Sequence, residues 1–172
     1  MASLFLIRHA EPEITGVLLG QLNPPLSHNG RLQAAHALPS LHVDTVWTSP
    51  LRRAVETAQF VHASHVVELE ELREIDQGEW TGKTWSEIET HWSDLAAQKT
   101  KDWFHVAAPN GESWAGFMNR IRCAWRIVQS GSGTAALIGH QAVNAALKHL
   151  IDGSDPLHFT QSYGEVIRLE YS

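Results

Sequence analysis

Apolar positions along the chain fall into two alternating patterns, short continuous runs and longer stretches that repeat at helical spacing. Leu4, Phe5, Leu6 and Ile7 form the first run and lead straight into Arg8 and His9. Such a run predicts a strand buried on both faces, as in the interior of a parallel sheet. Pro24 and Pro25 exclude helix from the loop that follows, and Ser27 stands as N-cap to a helix over 28–38 carrying Leu32, Ala35 and Leu38. A second strand is predicted over 43–48, where Thr45, Val46 and Trp47 favour β structure. Ser49 and Pro50 then read as the N-cap and first residue of a helix, with Leu51, Ala54, Val55, Ala58 and Val61 on its apolar face. A third strand is predicted over 66–69. Thr84 and Glu87 form a capping box for a helix lined by Trp85, Ile88, Trp92 and Leu95. The strongest helical stripe, Trp114, Phe117, Met118, Ile121, Ala124, Trp125 and Val128, predicts a helix over 113–129. A buried strand over 134–138, a helix with Val143, Ala146, Leu147 and Leu150, and a strand over 166–171 complete the chain.

Strands alternating with helices predict an α/β fold, a three-layer α/β/α sandwich around a largely parallel central sheet. With 172 residues the chain is expected to form a single domain over 1–172, large enough to bury a real core. The irregular stretch 97–111, which carries Trp103, Phe104 and His105, is expected to lie over a pocket as a lid-like segment. The net charge of −6 leaves no basic footprint for nucleic acid, so any anion site must be a local concentration of positive charge. The single cysteine, Cys123, excludes an internal disulfide and reads as a small core residue of the 113–129 helix. No apolar run is long enough to span a membrane, and 4–7 is too short for a signal-peptide core, so a cytoplasmic protein is expected. His62 and His65 stand three apart without a third ligand in view, so they read as a surface pair and no metal site is expected.

Right-handed crossovers would bring the carboxyl ends of the main strands to one edge of the sheet, where open α/β folds bind ligands. The first strand exits into Arg8-His9, the second into Ser49-Pro50-Leu51-Arg52-Arg53, the third leads to Glu74, and the 134–138 strand exits into Gly139-His140. Together these side chains would make a cationic pocket with one acid at its margin. Arginine forks and helix N-termini, such as the one expected at Pro50, complement phosphoryl oxygens. An imidazole among cations is held neutral and nucleophilic, and a carboxyl group facing the leaving oxygen could protonate it. Helical phase does not choose between Arg52 and Arg53, since both project away from the apolar stripe.

Arg8-His9-Ala10-Glu11, Pro25-Leu26-Ser27 with Gly30 and Gln33-Ala34, Ser49-Pro50-Leu51 with Arg53-Ala54 and Thr57-Ala58, Leu72-x-Glu74 with Gly78, Trp80 and Gly82, Gly111-Glu112-Ser113 and Gly139-His140 follow one another in order. In this register the chain resembles the phosphoglycerate-mutase-like branch of the histidine phosphatase superfamily. The resemblance implies that His9 is the nucleophile that becomes phosphohistidine and Glu74 the proton donor. Arg8, Arg53 and His140 would bind the phosphoryl group, with Arg53 rather than Arg52 in that role. It further implies a phosphorylated small-molecule substrate and neither metal nor other cofactor. Asn23, Gln141 and Trp103 are candidates for the substrate pocket. Ala10 replaces the usual glycine after the first histidine, and Gln141 replaces a glycine after His140. The segments that mark true mutases are missing, with Thr15 and Leu19-Gly20 at positions where those proteins resemble one another differently. A small phosphatase, such as the α-ribazole phosphatase-like members, is therefore expected. Phosphoglycerate mutase-type transfer, a phosphohistidine protein phosphatase and a catalytically silent phosphate-binding module are the alternatives.

Overall fold

The computed structural model describes residues 2–171; Met1 and Ser172, the ends of the expected domain, lie outside the described residues. Five strands form one sheet in the order β3-β2-β4-β1-β5. β1 (Ala2–Arg8), β2 (His42–Thr48), β3 (His62–Glu68) and β4 (Ala135–Gly139) run parallel, and β5 (Val166–Tyr171) lies antiparallel beside β1. The largely parallel sheet is as expected, with its one antiparallel strand on the edge next to β1. Parallel pairing sends the carboxyl ends of β1, β2, β3 and β4 to the same side. The expected convergence of strand exits is thus a property of the fold.

Side-chain alternation on the inner strands divides the core between the two faces. Leu4, Leu6, Ala135 and Leu137 pack with Phe117, Ile121 and Trp125 of α5 (Trp114–Ser130) and with Val143 and Leu147 of α6 (Gln141–Asp152). Ile7, Ala136 and Ile138 face the other way, onto Ala34 of α1 (His28–Ala37) and Ala54 and Ala58 of α2 (Arg52–Ala58). The architecture is a three-layer α/β/α sandwich. A smaller apolar cluster around Trp80, Ile88, Ala96 and Ala108 gathers α3 (Trp85–His91) and α4 (Ser93–Lys101) beyond the carboxyl edge. Among the described residues no helix is long and apolar enough to cross a membrane.

Several elements differ from expectation, each for a local reason. Ser49 does not open a helix: its Oγ accepts from the Leu51 amide, and α2 begins only at Arg52, whose amide is taken by Asn23 Oδ1 at 2.6 Å. The first amide of α2 is therefore satisfied within the chain. β3 starts at His62 rather than 66, because pairing with β2 overrides the weak strand preference of His62, Ala63 and Ser64. The helix expected through Leu95 is broken at Trp92, whose backbone (φ −134°, ψ 50°) ends α3 and opens α4. Of the stretch expected to be irregular, Ala97 to Lys101 belongs to α4. Cys123 is exposed, not core: it sits on α5 between Ile121 and Ala124, which hold the buried stripe.

Candidate active site

The exit of β1 places Arg8 and His9 between β4 and α2. The His9 amide donates to the Gly139 carbonyl at 3.1 Å, and the next amide, Ala10, donates to Thr57 Oγ1 at 3.0 Å. Gly139 has to be glycine, since a Cβ there would stand 2.3 Å from Asn144 Oδ1. Asn144 in turn donates to the Ile7 carbonyl and to Gln161 Oε1, while Gln161 Nε2 reaches the Leu6 carbonyl. This buried polar knot fixes where β1 ends and therefore where His9 stands.

His9 is 3% exposed, and its Nδ1 lies 2.8 Å from the Ala10 carbonyl oxygen. A carbonyl can only accept, so Nδ1 carries the proton and Nε2 the lone pair. That lone pair accepts from Arg53 Nε at 3.2 Å. Burial, reinforced by Arg53 and Arg8, holds His9 well below its usual pKa of 6.5. The ring is neutral and aimed by its own backbone.

Arg53 is 1% exposed and donates from Nη1 to the Leu22 carbonyl and from Nη2 to the Gly20 carbonyl at 3.0 Å. Burial lowers its pKa to about 10, which leaves it charged at neutral pH. Arg52, by contrast, points outward and pairs with Glu56 at 2.6 Å. Arg8 is held by the Gln161 carbonyl at 2.6 Å and lies 4.2 Å over the Tyr163 ring. His140 stands at the start of α6 with its ring centroid 5.0 Å from that of His9, and its Nε2 is 2.8 Å from Ser49 Oγ. Burial, with Arg53 and His9 adding to it, holds His140 well below its usual range. Arg8 Nε and His140 Nδ1 are buried without a hydrogen-bond partner among the described residues.

Glu74 faces this cluster from the other wall. Its Oε1 accepts from the Ile75 amide at 2.9 Å and its Oε2 from the Ala142 amide, in the first turn of α6, at 3.2 Å. Burial raises its pKa above the usual 4.5, opposed by those two amides and by Arg53 and Arg8. The segment that delivers Glu74 is fastened by Arg120 of α5, which donates to the carbonyls of Glu71 at 2.6 Å, Arg73 at 2.7 Å and Glu74 at 3.2 Å. Glu112 neutralises Arg120 through two hydrogen bonds of 2.7 Å. The Gly111-Glu112-Ser113 motif thereby acquires a structural purpose.

A cavity of about 260 Å³ opens over Arg8, His9, Arg53 and Glu74, walled by Lys99, Trp103, Phe104, Gln141 and Tyr163. The structure thus brings together Arg8, His9, Arg53, His140 and Glu74 and adds Gln141 and Trp103 at the wall. Asn23 is not part of that wall: it is exposed, and its amide oxygen caps α2. Sequence reasoning missed Tyr163, Lys99 and Arg120. Tyr163 sits in a loop outside every motif, Arg120 reads as an ordinary charged position on the 113–129 helix, and Lys99 falls in the stretch expected to be irregular. Among the described residues there is no group of three or more His, Cys, Asp or Glu side chains arranged to hold a metal.

The arrangement offers a neutral imidazole lone pair, flanked by two guanidinium groups and a second imidazole and opposed by a carboxyl group of raised pKa. Such a set suits transfer of a phosphoryl group to nitrogen. The model of the histidine phosphatase superfamily (branch 1) matches residues 4–172. Phosphoserine phosphatase 1 of Hydrogenobacter thermophilus is 34% identical over 71% of this chain, which spans 62% of the length of that curated relative. The α-ribazole phosphatase from Shigella flexneri superposes with a TM-score of 0.84 at 26% identity, covering 98% of this chain and 90% of that one. A phosphoglycerate mutase from Thermus thermophilus gives a TM-score of 0.76 at 28% identity, covering 98% and 93%. The fold is therefore phosphoglycerate mutase-like, and the chain belongs to branch 1 of the histidine phosphatase superfamily.

Proposed function

We propose that this protein is a phosphomonoesterase, a single domain acting in the cytoplasm on a phosphorylated small molecule by way of a phosphohistidine. The observation that carries the reading is the fixed tautomer of His9, whose Nε2 lone pair opens onto a cavity shared with Arg8, Arg53 and Glu74. In the first step Nε2 attacks phosphorus, a phosphoryl oxygen replaces it as acceptor of the Arg53 Nε–H, and the bond to the leaving oxygen breaks. Glu74 gives its proton to that oxygen, so an alcohol departs rather than an alkoxide. Arg8, Arg53 and His140 bind the phosphoryl oxygens and neutralise their charge. In the second step water attacks phosphorus, its proton passes to the Glu74 carboxylate, and the N–P bond breaks to release phosphate. No metal enters either step. The names of the hydrolase relatives and the absence of mutase-specific segments support hydrolysis over transfer between hydroxyls.

Purified protein in the presence of a chelator is expected to release nitrophenol from p-nitrophenyl phosphate. No turnover of any phosphoester across a broad panel would overturn the proposal. Isomerisation of 3-phosphoglycerate with a bisphosphoglycerate primer, faster than phosphate release, would instead favour the mutase reading.

Two further results follow from the walls of the site. Arg120→Met should cost roughly ten- to a hundredfold in kcat/KM by loosening the segment that holds Glu74. The loss should be larger for an alkyl phosphate than for p-nitrophenyl phosphate, because only the first needs Glu74 as acid; equal losses in steady-state kinetics would mean a general folding defect. Trp103, 38% exposed, packs on Trp85 at 5.4 Å and also lines the cavity. We read the segment around it as the cover that sets specificity. Trp103→Ala should reorder a substrate panel while leaving p-nitrophenyl phosphate turnover within about threefold of wild type, since removal of such a half-exposed ring affects local packing more than the core.

A further inference from the structure

Lys99 stands near the end of α4, 5% exposed, and lines the same cavity as His9 and Glu74. Its Nζ donates to the Val106 carbonyl at 2.7 Å and lies 5.1 Å from the centroid of the Trp103 ring. The opposite charge acting on it is Asp102, whose half-exposed carboxylate already accepts from His105 at 2.8 Å, and the two do not form an ion pair. Burying an ammonium group without an anionic partner is costly, and one carbonyl with one aromatic face offsets only part of that cost. A lysine stem is long enough to carry its amine out to water. Here the amine is turned inward instead, with two of its three N–H donors uncommitted. Burial lowers its pKa to about 8, so it is still mostly charged at pH 7.

The cavity thus has positive charge in two places, the pair of guanidinium groups at its base and a separate ammonium in its wall beside Trp103 and Phe104. The first place suits a phosphoryl group. The second offers a single charge and a few donors, which match a carboxylate. A second phosphate would call for the arginine forks or converging amides that this wall lacks. We propose that Lys99 forms a second anion subsite, selecting phosphomonoesters whose leaving alcohol carries a carboxylate. This rests on the phosphatase reading and gives that site its substrate class.

Calorimetric titration with 3-phosphonopropionate and with propylphosphonate tests it, since the two ligands differ only in the carboxylate and neither can turn over. Wild-type protein is expected to bind the carboxylated ligand roughly ten- to a hundredfold more tightly, the range of one charge-assisted hydrogen bond. Lys99→Met should abolish that preference while leaving the affinity for propylphosphonate within twofold, and Lys99→Arg should keep most of it. Equal binding of the two ligands by wild type would overturn the subsite alone. So would equal weakening of both in Lys99→Met, because a lysine that merely ties α4 to Val106 would affect both ligands alike. Binding of neither ligand would overturn the subsite, and only if no phosphoester is turned over would the phosphatase reading fall along with it.

Discussion

His9→Ala is expected to lower kcat for p-nitrophenyl phosphate by roughly 10⁴-fold or more, as removal of a covalent nucleophile does. The phosphate site itself should survive. Arg53 keeps its bonds to the Leu22 and Gly20 carbonyls, Arg8 keeps Gln161 and Tyr163, and His140 keeps Ser49. Inorganic phosphate should therefore still raise the melting temperature of the variant. A second imidazole only 5.0 Å away makes the choice of nucleophile a real question. The geometry favours His9, because the Ala10 carbonyl dictates which of its nitrogens is unprotonated, whereas the Ser49 hydroxyl can serve His140 as donor or acceptor. Brief exposure to labelled substrate should give an acid-labile, alkali-stable phosphoenzyme in wild type and in His140→Ala, and none in His9→Ala. A label that persists in His9→Ala and vanishes in His140→Ala would transfer the role to His140.

The elements most legible in the sequence were those whose local chemistry and tertiary packing agree. Ser27 caps α1 by accepting from the Gly30 amide, Thr84 and Glu87 complete their capping box, and the α5 stripe is buried almost residue for residue. Legibility failed where a distant partner overrules local preference. Ser49 and Pro50 have the form of a helix start, yet the Ser49 hydroxyl is drawn to His140, ninety-one positions away, and to the amide just ahead of α2. His62, Ala63 and Ser64 become strand because β2 offers them hydrogen bonds, a fact that no window of their own residues contains. Cys123 falls within a helical pattern, but one residue of phase separates the buried face from the solvent face. Arg8, His9 and His140 could be named because each follows a buried strand run directly, whereas Arg53 was separated from Arg52, and Glu74 given its role, only by the family resemblance. Tyr163 and Arg120 could not be named, since they act by lying over Arg8 and by holding three carbonyls, and neither contact leaves a periodic trace. Lys99 was hidden for another reason: it lies in the stretch expected to be irregular, where a lysine normally lies in water.

Glu74→Gln separates the two chemical steps. With an alkyl phosphate the leaving oxygen needs a proton, so the variant should lose roughly 10²- to 10⁴-fold in kcat/KM, the range that general acid catalysis supplies. With p-nitrophenyl phosphate the leaving group departs as a stable anion, and phosphorylation of His9 should be nearly as fast as in wild type. Water attack on the phosphohistidine still lacks its base. Rapid mixing should therefore show a burst of nitrophenol equal to the enzyme concentration, followed by slow turnover. The pH dependence follows with a definite sign. Productive enzyme has neutral His9 and protonated Glu74. Burial together with Arg53 and Arg8 holds His9 well below 6.5, so the acid limb of kcat/KM should lie well below that value. Burial raises Glu74 above 4.5, so activity on an alkyl phosphate should fall as pH rises through this raised value. Glutamine cannot lose a proton, and the alkaline limb should vanish from the residual rate. A missing burst, together with equal losses on both esters, would exclude Glu74 as the proton donor and leave it a part of the phosphate site alone.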